Sequence, residues 1–337
     1  MSVMAENQTS QCLPKDRSVV EMINVIFDDT MLTSVFWIMT FITMVLFFAF
    51  IENVNFLFNR IPNKDRMIRI MWILGIYPVF ALTSIFSLYF PRSSVFCNLT
   101  ATCYYALGVY FFIGLIVFYF GGYEHAILKI ADTQVPIIPF CGKRVSIKLT
   151  EWAFLRLRFC LIQFAMFRAL MMFIENVLFV NGTYHLSKMT TENGSIVIYI
   201  LVLISGGVYM CALYILHNAS KPLLKGFYLT PKCLLLFAGF LISDVQMVII
   251  GLLTTSGAIK CVLPFDGPNR ANGWYSLVQI VECALISPVV MMFFRTRKGN
   301  VVSMVDMVKK VTAAQKKKPT LKRGPSKTSL YNTYANL

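Results

Sequence analysis

Polar side chains interrupt an otherwise apolar run in the middle of this sequence at Gln163, Arg168 and Glu175. Arg168 and Glu175 stand two helical turns apart, so a helix puts them on one face. Asp244 and Gln246 interrupt a second such run, and Gln279 and Glu282 a third. A guanidinium offers a planar fork of donors to a carboxylate, sulfate or sulfonate. In a cavity, Arg168 would meet the anionic group of a solute, with Gln163, Gln246, Glu282 and Asp244 as further polar contacts. The same residues also fit an interhelical ion pair, Arg168 with Glu282 or Asp244, that locks a bundle without touching a ligand. Both readings stand on the sequence. Glu175 and Glu52 lie near the ends of their runs, where a carboxylate reaches the headgroups.

The runs around these residues define what must position them. Hydrophobic residues make up 57% of the chain and charged residues 14%, and the mean hydropathy is +0.66. Seven segments are long enough to span a bilayer: 31–58, 70–90, 102–120, 159–180, 196–216, 233–253 and 274–294. Backbone groups in lipid must be satisfied internally, and these runs lack the period-two alternation of a barrel, so they predict helices. The expected fold is therefore all-α, a polytopic helical bundle with about seven transmembrane helices. A charged side chain at mid-membrane costs about 2.5 to 3.5 kcal/mol on insertion scales, which makes the few charges inside the spans the sharpest functional signal. Pro78 and Pro288 predict kinks.

Charge placement orients the bundle. With the N-terminus outside, the inner loops carry Arg60, Lys64, Arg66 and Arg69, then Lys129, Lys143, Arg144 and Lys148, then Lys221, Lys225 and Lys232. The outer segments hold only Lys15, Arg17, Arg92, Lys188, Lys260 and Arg270. The sequons at Asn7, Asn98, Asn181 and Asn193 fall outside, as glycosylation requires, and only that at Asn218 falls inside. This divides the chain into an extracellular segment (1–30), a transmembrane domain (31–294) and a basic cytosolic tail (295–337). The first thirty residues show no cleavable signal pattern, so the first span is expected to direct insertion. In the tail, residues 301–311 predict a short amphipathic helix on the inner leaflet, followed by a polar, disordered stretch. The net charge of +15 thus points to membrane lipids or a cytosolic partner and not to nucleic acid.

Other chemistries are poorly represented. The nine cysteines lack metal-site spacing, and a Cys97–Cys261 disulfide is the first choice among the outer ones. His125, His185 and His217 have no second ligand or nucleophile nearby in the sequence. There is no GxxxxGK[ST] loop, HExxH or GxSxG pattern, so neither an enzyme nor a cofactor is expected. The inner end of the third span lacks a receptor-type Asp-Arg-Tyr, and the last span lacks Asn-Pro-x-x-Tyr; a seven-helix chemosensory receptor nonetheless remains the alternative.

The segment Phe120-Gly121-Gly122-Tyr123-Glu124-His125-Ala126, with Asp132-Thr133 after it, resembles the F-G-G-x-E-A…D-T stretch of the organic solute transporter alpha subunit family. Further matches run in order: Phe50-Ile51-Glu52, Pro91-Arg92-Ser93, Gln163-Phe164 with Arg168, Gln246 and Glu282. The resemblance implies facilitative, bidirectional transport of amphipathic anions such as bile acids and steroid conjugates across the plasma membrane. It also implies a heteromer with a single-span beta subunit, extending to a dimer of heteromers. Family members carry a cysteine run in the loop after the third span; this sequence has Cys141 alone there as a lipidation candidate.

Overall fold

The computed structural model describes residues 24, 27–61, 63–131, 133–136, 146–182, 194–260 and 267–295. Asn7, Cys12, Asp132, Cys141, Asn193, Cys261 and the tail helix at 301–311 lie outside the described residues.

The seven apolar runs are seven long helices: Thr30–Arg60, Lys64–Tyr89, Pro91–Phe120, Glu151–Val180, Ser195–Ser220, Leu229–Thr255 and Gly267–Arg295, spans 1 to 7 below. Several outrun the apolar stretch that marks them, because capping and not hydropathy sets where a helix starts. Asn63 accepts the Arg66 amide at the head of span 2, and Thr150 accepts the Ala153 amide at the head of span 4. Between spans 2 and 3 the expected loop shrinks to a 3₁₀ turn at Pro91–Ser93 that runs straight into Ser94–Phe120. One small sheet joins the helices, an antiparallel ribbon of β1 (Gln134–Pro136) and β2 (Ser146–Lys148) with Val135 opposite Ile147.

Span 2 is two helices, Lys64–Leu74 and Ile76–Tyr89, interrupted at Gly75. Pro78 has no amide hydrogen to give the Leu74 carbonyl one turn back, and the chain breaks there. Pro288, by contrast, sits inside an unbroken helix. Burial ranks the spans: 72% of the most apolar stretch of span 2 is buried, against 17% for span 1. Span 2 therefore threads the centre and span 1 lies at the edge. There Arg295 holds Glu52 with two hydrogen bonds of 2.7 and 3.0 Å.

The centre is aromatic. Phe164 of span 4 stacks on Tyr209 of span 5 with ring centroids 4.5 Å apart, and Tyr105 and Phe240 meet Phe164 edge-on. Spans 5 and 6 meet this core through small residues: a side chain at Gly206 of span 5 would run into the Phe240 ring, and one at Gly239 of span 6 into Tyr105. Just past Phe240, span 6 widens into a π-helical turn at Leu241–Val245, where the Gln246 amide reaches back to the Leu241 carbonyl. Tyrosine hydroxyls line its wall: Tyr77 donates to the Leu235 carbonyl, Tyr105 to that of Leu236 at 2.7 Å, and Tyr275 to that of Ser243 at 3.3 Å.

Candidate functional site

Arg168 lies near the middle of span 4 and Asp244 near the middle of span 6, in the π turn. Arg168 Nε is 2.5 Å from Asp244 Oδ1, and the two side chains are 6% and 1% exposed. Ser243 Oγ donates to the other carboxylate oxygen, Asp244 Oδ2, at 2.6 Å. Two turns along span 4, Glu175 Oε1 stands 3.9 Å from Arg168 Nη1, itself 2% exposed. Three charges are thus gathered in a low-dielectric interior, where charges persist only in close pairing. The π turn brings Asp244 there; such widened turns occur mostly as single insertions in α-helices, often at functional sites.

The other candidates occupy neighbouring seams. With its amide oriented to satisfy both ends, Gln246 donates to the Ile242 carbonyl at 2.9 Å and to Glu282 Oε2 at 3.2 Å, joining spans 6 and 7. Gln163 Nε2 donates to Ser205 Oγ at 3.3 Å, joining spans 4 and 5. Of the two ion pairs the sequence left open for Arg168, the one formed is with Asp244. Glu282 is Gln246's partner instead. Glu175 corrects its expected role: it turns inward to Arg168 and is buried, so it does not reach the headgroups.

The FGG motif shapes the chain. Gly121 and Gly122 have φ of 88° and 115°, the left-handed region that favours glycine. The Gly121 amide donates to the Phe118 carbonyl and that of Gly122 to the Val117 carbonyl, the paired bonds of a Schellman stop. A short helix, Tyr123–Ile130, starts directly afterwards with Glu124 exposed in its first turn, where a carboxylate offsets the helix dipole. Thr133 Oγ1 donates to the Ile130 carbonyl at 2.7 Å and closes that helix onto β1.

A further expectation changes. Asn98 lies inside the helix of span 3 at 8% exposure, leaving no room for a glycan, because the helix begins at Ser94 and turns Ser94, Asn98 and Thr102 inward. Asn181 is exposed at the end of span 4. Cys97 is a buried free thiol beside Ser93, and Cys261, its expected partner, lies outside the described residues.

Sequence reasoning missed two polar sets. Lys232, counted above as a loop cation, is fully buried in the first turn of span 6: it donates to Tyr119 Oη at 3.2 Å and lies 5.0 Å from the Phe294 ring centroid. Arg66 shares the Tyr119 ring at 5.7 Å. The second set joins spans 2 and 7, where Ser84 Oγ donates to Gln279 Oε1 at 2.6 Å and Asn272 Nδ2 to Ser87 Oγ at 3.0 Å. Its signal was available: Asn272, Ser276 and Gln279 repeat at helical spacing on one face.

A groove of about 330 Å³ opens between spans 1, 2 and 3, lined by Phe50, Ile51, Val54, Met71, Trp72 and Tyr104. None of the candidate polar residues belongs to it. Among the described residues, no three histidine, cysteine or acidic side chains gather as a metal site.

Comparison with known proteins identifies a family. The family model described as organic solute transporter Ostalpha matches residues 35–298. The chain is 25% identical over 278 residues to an organic solute transporter subunit alpha of Danio rerio, covering 80% of this chain and 84% of the relative. It is 25% identical over 268 residues to that of Leucoraja erinaceus, covering 78% and 76%. With that of Homo sapiens it shares 21% over 257 residues, covering 75% and 76%. No solved structure matches the chain.

Proposed function

This chain belongs to the organic solute transporter Ostalpha family, and we propose that it is a facilitative, bidirectional transporter subunit for amphipathic organic anions of the bile-acid or steroid-conjugate type. Membership implies transport of organic solutes. The observation that carries the narrower reading is a guanidinium, Arg168, buried at mid-depth of a seven-span bundle with carboxylates at hydrogen-bond and ion-pair distance. A cation kept there at considerable desolvation cost suits an anionic head, and the surrounding aromatic side chains suit a rigid apolar body. Movement down the solute gradient is what the family resemblance implies. The relatives' name, subunit alpha, supports assembly with a further subunit; a single-span beta subunit, in a heteromer or a dimer of heteromers, is the partner that the family resemblance implies. Positive-inside asymmetry supports an outer N-terminus and a cytosolic basic tail, and the plasma membrane is the location that the family resemblance implies. Asn181 and the sequons at Asn7 and Asn193 are then glycosylation sites, and Cys141 a lipidation site.

The test is expression with and without a single-span partner, followed by taurocholate and steroid-sulfate flux in both directions. Saturable flux each way, inhibited by either compound, is expected. No flux under any pairing, with ligand-evoked G-protein coupling instead, would sink the reading.

A further inference from the structure

Arg168 already holds an anion, and that anion is part of the protein. Asp244 Oδ1 sits 2.5 Å from the guanidinium Nε, in the position a solute carboxylate or sulfonate would take, and Ser243 Oγ steadies its second oxygen at 2.6 Å. Glu175 adds a second negative charge at 3.9 Å. A third anion cannot join this group without strong like-charge repulsion in a buried site, so a solute engages Arg168 only as Asp244 withdraws. The fold offers a place for that withdrawal. Asp244 lies in the π turn at Leu241–Val245, where five residues form a wider turn than the helices on either side, and rewinding it to α-helix rotates the side chain about the helix axis.

We propose that Asp244 is an internal stand-in for the solute: Arg168 exchanges it for the solute anion on loading and takes it back on release, so that the empty carrier reorients with its guanidinium neutralised. This rests on the transport reading above and adds a role for one residue. A gradient-driven carrier must return empty. A guanidinium that has lost its hydrogen-bonded carboxylate and keeps only the looser Glu175 contact at 3.9 Å would slow that step alone, because the loaded carrier has the solute's charge against Arg168. Asp244 thereby acts as a positioning residue for the empty state, and its loss turns a net transporter into an exchanger.

The experiment uses the full chain with its single-span partner in plasma-membrane vesicles, with taurocholate as the probe. Net uptake into vesicles without internal taurocholate is compared with tracer exchange against internal taurocholate, each normalised to surface protein. For Asp244→Asn, net uptake falls about tenfold or more, Glu175 offsetting part of the charge, while exchange stays within about twofold. Asp244→Glu restores net uptake. A lock that merely holds the bundle lowers both modes together, and that result, or no change in either, overturns the proposal. If Asp244→Asn does not reach the surface, Asp244→Ser is read by the same two assays: net uptake lost with exchange kept supports the proposal, and both modes falling together overturns it. If neither variant reaches the surface, the pair is a folding element and the proposal falls. Wild-type protein without taurocholate flux defeats the transport reading itself, a separate outcome.

Discussion

Two of the bundle's polar seams are built in opposite ways. Spans 2 and 7 are joined by neutral groups, Ser84 with Gln279 and Ser87 with Asn272, on helical segments regular at the contact. Spans 4 and 6 are joined by charge, Arg168 with Asp244, at the one place where span 6 leaves α-helical winding. Neutral hydrogen bonds in an apolar interior specify one arrangement and cost little to bury once made. A buried ion pair pays heavily in desolvation for little net stability and is replaceable by apolar residues in many proteins, so its retention asks for a reason beyond holding helices together. On the transport reading proposed above, the 2/7 seam belongs to architecture and the 4/6 seam to function.

The sharpest way to break that contrast is at Arg168. Replacing it with Gln removes the anion-binding cation and is expected to lower taurocholate flux on the order of a hundredfold while surface delivery, followed by biotinylation, is retained. If flux and delivery fall together, the 4/6 seam is as architectural as the other. Gly206→Val comes next: its side chain runs into the Phe240 ring one residue before the π turn. Overpacking of this kind costs about 1 to 3 kcal/mol, and a Tm lowered to match is expected in detergent-solubilised protein. Gln279→Leu strips the Ser84 hydroxyl of its acceptor and is expected to cost about 1 to 2 kcal/mol in stability with the KM for taurocholate unchanged. A raised KM with an unaltered Tm would move the 2/7 seam into the binding site. Glu52→Gln, at the half-exposed pair with Arg295, sets the floor: a stability change below about 1 kcal/mol in a denaturant titration.

Much of this was legible in the sequence, for identifiable reasons. Apolar length alone specified seven helices, since lipid admits few alternatives. The rarity of charges inside the runs pointed to Arg168 and Asp244 before any contact was known. What hydropathy hides is the helix beyond the apolar run. Span 3 begins at Pro91 and not near Thr102, which buries Asn98; span 6 begins at Leu229 and not at Cys233, which takes Lys232 out of its loop and against Tyr119. Glu175 was misread for a related reason: closeness to a helix end says little about depth when the neighbouring helices extend as far. The π turn left no local mark, and the contact that accompanies it joins Asp244 to an arginine 76 residues earlier in the chain.

That same separation governs how the protein is made. Span 4 emerges from the ribosome carrying Arg168 and Glu175, and each charge opposes release into lipid by about 2.5 to 3.5 kcal/mol. Its partner does not yet exist, for span 5 must be synthesised before Asp244 arrives on span 6. Span 4, with only Glu175 to set against Arg168, is thus expected to be a reluctant insertion segment until Asp244 is made. Truncation before residue 244 is expected to leave it unsettled in the membrane, and truncation after span 6 to secure it.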